Sequence, residues 1–508
     1  MKSQMLSGHR FGRIGGNRSG PILRPRASRR GPSLNRSGFF GICLRLLFVA
    51  FALSHALGAV AQRAEAKPLP VTPPDDTDWS WYCDPAHKVE ATDQLKCIGG
   101  KTDSVRQVSI SGEIRMRGEY FDHIRLGESS PSSGYLLQRY TLNTDMVLGN
   151  RVRLFTSLES GLEDGRVGGP RPSVDENRLF FHEGFLQIRT RRVRPLVDLR
   201  IGRHELNLGS GRLISSRDLP NVQQNFDGVR LLVSPASWQV NVLALKYSET
   251  NQGVFDDYPN HAFSVWGIYA THHDHPDDAP TLDIYYLGID HKVANFQAGS
   301  GREQRESVGV RLADVRGHWD SDSEGAYQFG TFAYRPIRAW TVTSNSGYTI
   351  RSQRGQEIDY RVGLDAGIAS GNHNPTQGAF GTFNALFPKG AYFGQANFIG
   401  PYNIQDVRPS LRVMIPRQRI VIWPNVEMLW RQSRQDGIYS IPAALVQAGN
   451  AADALYIGFQ ADLNVEWEQN RHFTWMVDGE HFFSGAFLRQ TTSGKSVNYF
   501  APGISYRF

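Results

Sequence analysis

After residue 61 the 508-residue chain has no apolar run approaching the roughly 20 residues that a membrane-spanning helix needs. Acidic residues are absent from positions 1–61, which carry Lys2 and nine arginines. Cysteine is scarce, with three in the whole chain. Two of them, Cys83 and Cys97, lie beyond the N-terminal region, and two thiols are too few for a structural zinc site. No G-x-S-x-G, H-E-x-x-H, P-loop or dinucleotide fingerprint occurs, so no cofactor or catalytic residue is assigned. Glycine and proline follow no collagen-like period, and aromatics at 11% are too many for a disordered chain.

The charge balance changes once it is located. The formal charge of +7 suggests nucleic acid or an anionic surface as partner. Taking the ten N-terminal cations from the 56 Lys+Arg leaves 46 against 49 Asp+Glu, about -3. No nucleic-acid partner is therefore expected. The N-terminal region itself reads as an export signal. A long basic stretch precedes the apolar run 39–53, and Ala59-Val60-Ala61 is an A-x-A cleavage site. The alternative, an uncleaved anchor, is disfavoured by Arg45 within the apolar run. Residues 1–61 are thus expected to be a signal peptide, and 62–106 a periplasmic extension. In an exported chain Cys83 and Cys97 most simply form one disulfide.

From residue 107 onward the dominant signal is period two. In Val108-Ser109-Ile110-Ser111-Gly112-Glu113-Ile114-Arg115-Met116-Arg117-Gly118-Glu119-Tyr120, even positions are apolar or Gly and odd positions polar. Side chains of a strand alternate between faces, so such a strand has one apolar and one charged face. About eighteen segments of this kind begin near residues 107, 135, 151, 178, 196, 226, 238, 261, 281, 303, 324, 339, 358, 408, 420, 455, 473 and 497. A soluble sandwich and a transmembrane barrel both accept this alternation. Candidate strands of about 9–13 residues and aromatics at strand ends favour the barrel. So do spacers that alternate between tight (149–150, 192–194, 234–237, 416–419, 469–472) and long (161–177, 207–225, 248–260, 370–407, 431–454). Three spacers, 271–280, 314–323 and 335–338, break this rule. Backbone groups in hydrocarbon must be paired within the protein, which requires closure. The prediction is an all-β chain forming a transmembrane antiparallel β-barrel of about 18 strands over 107–508, in the bacterial outer membrane and contacting its lipid.

Two stretches carry a family resemblance. The first is Gly202-Arg203-His204-Glu205-Leu206-Asn207-Leu208-Gly209-Ser210-Gly211-Arg212-Leu213-Ile214, followed by Asn225-Phe226-Asp227-Gly228-Val229-Arg230-Leu231. The second is Gly363 to Asn372, with Ala369-Ser370-Gly371-Asn372, followed by Thr382-Phe383-Asn384-Ala385-Leu386-Phe387-Pro388 and Tyr392-Phe393-Gly394. Both resemble motifs of the alginate export family of outer-membrane barrels. The resemblance implies an 18-stranded barrel passing an anionic polyuronate outward, with Arg203, Glu205, Arg212, Asp227, Arg230, Ser370 and Asn372 as motif positions. The closing strand, ending on Phe508, resembles the signal read by the barrel assembly machinery. Periplasmic export partners are a further expectation.

If apolar faces meet lipid, the opposite positions line a lumen. Its basic candidates are Arg115, Arg117, Arg139, Arg153, Arg189, Arg200, Arg311, Arg361 and Arg412; Glu113 and Asp365 are among the acidic ones. The guanidinium fork suits carboxylates, and rings of basic groups select anions. The same arginines equally suit ion pairs bracing the barrel wall. The leading expectation is passive diffusion of an anionic polysaccharide. The alternatives are an uptake porin for small carboxylates or sugars, and an outer-membrane enzyme. His182, His291 and His481, which an enzyme would need at one rim, are expected mostly to face lipid. His272-His273-Asp274-His275 with Asp277 and Asp278 reads as a solvated turn rather than a metal site.

Overall fold

A computed structural model describes residues 77–99, 105–191, 195–273, 280–352, 358–374 and 376–508. The expected signal peptide, the turn 192–194 and Asp274, His275, Asp277 and Asp278 lie outside the described residues. Eighteen strands form one antiparallel sheet. They are β1 (Val105–Phe121), β2 (Ser133–Leu148), β3 (Val152–Asp164), β4 (Asn177–Arg191), β5 (Leu196–His204) and β6 (Phe226–Ser234). Next come β7 (Trp238–Glu249), β8 (Tyr258–His273), β9 (Thr281–Phe296), β10 (Gly299–Arg316), β11 (Trp319–Phe332) and β12 (Arg335–Ile350). The last six are β13 (Asp359–Ala369), β14 (Ile404–Ile415), β15 (Ile420–Arg431), β16 (Tyr456–Glu468), β17 (Phe473–Ser484) and β18 (Val497–Arg507).

Closure is explicit in the register. β1 pairs with β2 on one side and with β18 on the other, placing Glu113 opposite Arg507 and Phe121 opposite Tyr499. The terminal Phe508 extends this seam, exchanging both backbone hydrogen bonds with Gly112 at 3.1 Å. No strand edge is left for hydrocarbon, as the bilayer demands. The period-two pattern sorts the faces. Ile114, Leu142, Ile201, Val242 and Leu463 project outward and exposed, while Arg115, Arg117, Asn143, Arg200 and Asp462 are turned inside.

Consecutive strands pair across all three irregular spacers. Gly317 and His318 form a tight turn because the ladder runs on to Arg316 opposite Trp319. Strands β10, β11, β12 and β14 start four or five residues before the expected positions. Ala333 and Tyr334, both at positive φ, close an equally tight turn on the opposite rim. Long loops still dominate that rim, and short turns the other, the outer-membrane arrangement with short turns periplasmic.

Bulges interrupt parity in several ladders, and one of them, in β4, moves a residue of interest. A bulge in the β3–β4 ladder puts Ser157 opposite Glu183 but Leu158 opposite Phe181. The extra residue, His182, turns inward and is buried, contrary to the expected lipid-facing position. His291 likewise packs inward, stacked at 4.3 Å on Phe263, which meets Phe387 of a loop inside the barrel. His481 sits on the outer side against Phe483.

Candidate translocation pathway

Two long loops fold into the barrel instead of away from it. They are 205–225, between β5 and β6, and 370–403, between β13 and β14. Their apolar residues explain why: Leu206, Leu208, Leu213, Ile214, Phe383, Phe387 and Phe393 are buried in one cluster with wall residues Phe226, Leu245 and Tyr269. The loops also pair with each other. Ile214 and Phe387 form a parallel bridge, with Phe387 N donating to Leu213 O and Lys389 N to Gly211 O at 2.8 Å. The Phe387 ring packs on Phe226, Tyr247 and Phe263 at centroid distances of 4.9, 5.6 and 5.1 Å. The two sequence motifs thus meet in the lumen and narrow it.

Charged side chains hold this constriction. Arg115 donates to the Asp218 and Pro220 carbonyls at 2.7 and 2.9 Å. Arg139 binds the Asp218 carboxylate at 2.6 Å and Glu113 at 3.1 Å. Enclosure within the barrel opposes ionisation of Asp218, whose side chain is open to the lumen, but the Arg139 and Arg115 charges outweigh it and hold the carboxyl below its usual range. Arg212 reaches across the lumen to Asp322 at 3.0 Å and Glu324 at 3.4 Å. Thr382 and the Asn372 amide both donate to Asp436, at 2.6 and 2.8 Å. Ser370 Oγ donates to Gly381 O and accepts from Trp340 N, each at 2.8 Å. The second motif is therefore a loop-folding device.

The first motif works across a strand pair. Gly202 lies opposite Gly228, Arg203 opposite Asp227 and His204 opposite Phe226. Both glycines have φ in the left-handed range, +138° and +152°, and a Cβ would stand 2.2 and 2.4 Å from neighbouring carbonyl oxygens. Arg203 and Asp227 form a two-pronged pair at 2.8 and 3.1 Å on the outer face, beside Phe181, Ile201 and Val229. Glu205 meets the inward His182 at 3.1 Å. Arg230 donates to Asn241 at 2.9 Å.

Most of the remaining lumen arginines meet carboxylates of the wall. Arg117 pairs with Asp478 at 2.8 Å and Glu119 at 3.2 Å. Arg153 pairs with Asp145 at 2.7 Å, Arg189 with Asp198 at 2.8 Å, and Arg311 with Asp283 and Asp322 at 2.8 and 2.9 Å. Arg361 donates to Asp320 at 2.8 Å and Asn345 at 2.6 Å. Arg200 donates to Gln187 at 2.8 Å and lies over the Phe185 ring. Arg412 differs: its guanidinium lies 5.0 Å from the Trp423 ring centre. It stands directly opposite Arg361 in the β13–β14 register, where like charges repel.

Only some of the expected lumen arginines converge: Arg153, Arg189, Arg200 and Arg311 lie away from the cavity of about 670 Å³ that opens between the inward loops and the wall of β1 and β11–β17. Arg115, Arg117, Arg361, Arg408 and Arg412 line it, with Asp218, Asp320, Asp365, Glu466 and Asp478 as their acidic counterparts. Arg408, bound to Asp365 at 3.1 Å, is absent from the sequence-based set although it lies at the start of the expected segment and shares the parity of Arg412. Lys389 also escaped notice, lying in an aperiodic loop. Burial, then the Arg212 and Arg408 charges, lower its ammonium to about 8.

A closed, lipid-facing barrel with a charged lumen narrowed by its own loops defines an outer-membrane channel. The sequence profile of the alginate export family matches residues 106–501, and the chain belongs to that family. Similar solved structures include Acinetobacter baumannii OccAB1, with TM-score 0.53, 12% identity and coverage of 82% of this chain and 99% of that one. Pseudomonas aeruginosa OccK2 (OpdF) gives 0.53, 11%, 80% and 99%. The same protein in complex with glucuronate gives 0.52, 10%, 81% and 99%. At these identities the likeness is one of fold. No curated protein matches the chain. Family and fold are those of channels and not of enzymes.

Proposed function

We propose that the barrel passes an anionic polysaccharide of the polyuronate class by passive diffusion. One observation carries this reading: Arg361 and Arg412 face each other across β13–β14 in a cavity that Arg115, Arg117 and Arg408 also line. A uronate carboxylate between Arg361 and Arg412 relieves their repulsion and matches the guanidinium fork. Trp423 beside Arg412 offers an apolar face to a sugar ring. Asp320, Asp365 and Asp478 compete for the same arginines, so a carboxylate binds weakly enough to move on. Membership of the alginate export family supports this substrate class. The test is reversal potential in planar bilayers, followed by titration with oligouronates of defined length. Anion-selective current blocked more strongly by longer oligomers supports the reading.

A second reading, uptake of small carboxylates or sugars, is favoured by the size of the compartments, about 670 and 500 Å³. OccK2, of similar fold, was solved with glucuronate, a single uronate. Equal block by monomer and oligomer supports this alternative.

A further inference from the structure

Residues 77–99 have no part in the channel wall, yet they are built as a unit. Cys83 and Cys97 are joined by a disulfide. Trp79 and Tyr82 pack with Cys97 in a small core of their own, and the Lys96 ammonium lies 4.4 Å from the centre of the Trp79 ring. This unit attaches to the periplasmic rim in two places. Beside β1, Lys96 Nζ donates to Ile110 O at 3.0 Å, and Ile98 and Val108 exchange backbone hydrogen bonds at 2.8 and 3.2 Å. Two strands along the wall, beyond β18, the β16–β17 turn supplies Arg471 and His472. Arg471 pairs with Asp93 and, at 3.2 Å, with Glu90; His472 meets the same Glu90. Asp93 is fully buried.

The unit also reaches the lumen. Thr77 and Trp79 wall a chamber of about 500 Å³ together with Ser111, Glu113 and Arg139 of the barrel. Its other wall includes Ser216 and Asp218 of the inward loop. A solute entering this side of the lumen from the short-turn rim therefore meets Trp79 before the constriction.

We infer that residues 77–99 are a plug for the periplasmic mouth, hinged beside β1 and latched by Glu90 and Asp93 to Arg471 and His472. The disulfide makes the plug move as one body. The latch consists of ion pairs at the rim, and the hinge of backbone and lysine contacts adjoining β1, so breaking the former leaves the plug tethered. This inference rests on the channel reading.

Single-channel recording on the full chain tests it. Arg471→Ala with His472→Ala removes the latch from the barrel side and leaves the plug's own residues intact. Losing the partners of a buried carboxylate shifts the latched-to-unlatched ratio by roughly 100-fold, so long openings should replace brief ones. A variant lacking residues 77–99 should stay open, its folding verified by heat-modifiable gel migration. Cross-linking Asp93→Cys to Arg471→Cys should suppress the openings. Dwell times and current unchanged in both the latch variant and the deletion would overturn the plug while leaving the channel intact. No current from any folded variant would overturn the channel reading itself.

Discussion

Phe387→Ala is the most informative perturbation of the constriction. The ring is buried against Phe226, Tyr247 and Phe263, and its backbone bridges the two inward loops at Ile214. Truncating a buried Phe costs about 3–5 kcal/mol. Here that cost falls on loop docking, because the barrel ladder on either side is formed by other residues. At about 1.4 kcal/mol per tenfold, the undocked fraction of the loops rises by roughly two to three and a half decades. In bilayers this predicts larger and noisier current steps. In intact detergent-solubilised protein it predicts protease cleavage within 370–403. Heat-modifiable gel migration should stay near wild type. Unchanged conductance together with unchanged protease resistance would refute the claim that this aromatic crossing narrows the lumen.

Three further outcomes follow from the same geometry. Arg412→Gln should leave folding unchanged, since its guanidinium rests on the Trp423 ring, but should weaken oligouronate block in bilayer titrations. Asp227→Asn should destabilise the barrel by about 2 kcal/mol, since Arg203 loses a charged partner on the lipid side; a lowered urea midpoint for folding into vesicles checks this. Lys389 sits among Arg212, Arg408, Asp365, Asp322 and Tyr392, with its pKa lowered to about 8. Below that pH it adds a cation to the lumen and above it none, so anion selectivity should fall between pH 7 and 9. Reversal potentials should show that fall in wild type and a flat profile in Lys389→Met.

The barrel wall was legible because its physics is periodic. A lipid face and a water face alternate residue by residue, so Ile114 beside Arg115 or Leu463 beside Asp462 reveals a strand with no tertiary information. The inward turn of the long loops 207–225 and 370–407 was suggested by their length and their Gly, Asn and Asp content, but not which of their residues meet. Ile214 and Phe387 are 173 positions apart, in segments without a period, and only their meeting makes a constriction. His182 escaped because a single-residue bulge reverses parity beyond it. The lumen arginines were found by parity, but parity names a face and not a partner. That Arg115 and Arg139 grip loop residue 218 while Arg412 rests on Trp423 depends on loop placement, which alternation does not encode.

Movement of an anionic polymer through the arginine-lined lumen can be read from the reversal potential under a salt gradient, with oligouronate then added to one side. The expected result is anion-selective current, length-dependent block by oligouronate, and loss of that block in Arg361→Gln with Arg412→Gln. Cation-selective current indifferent to oligouronate would contradict it.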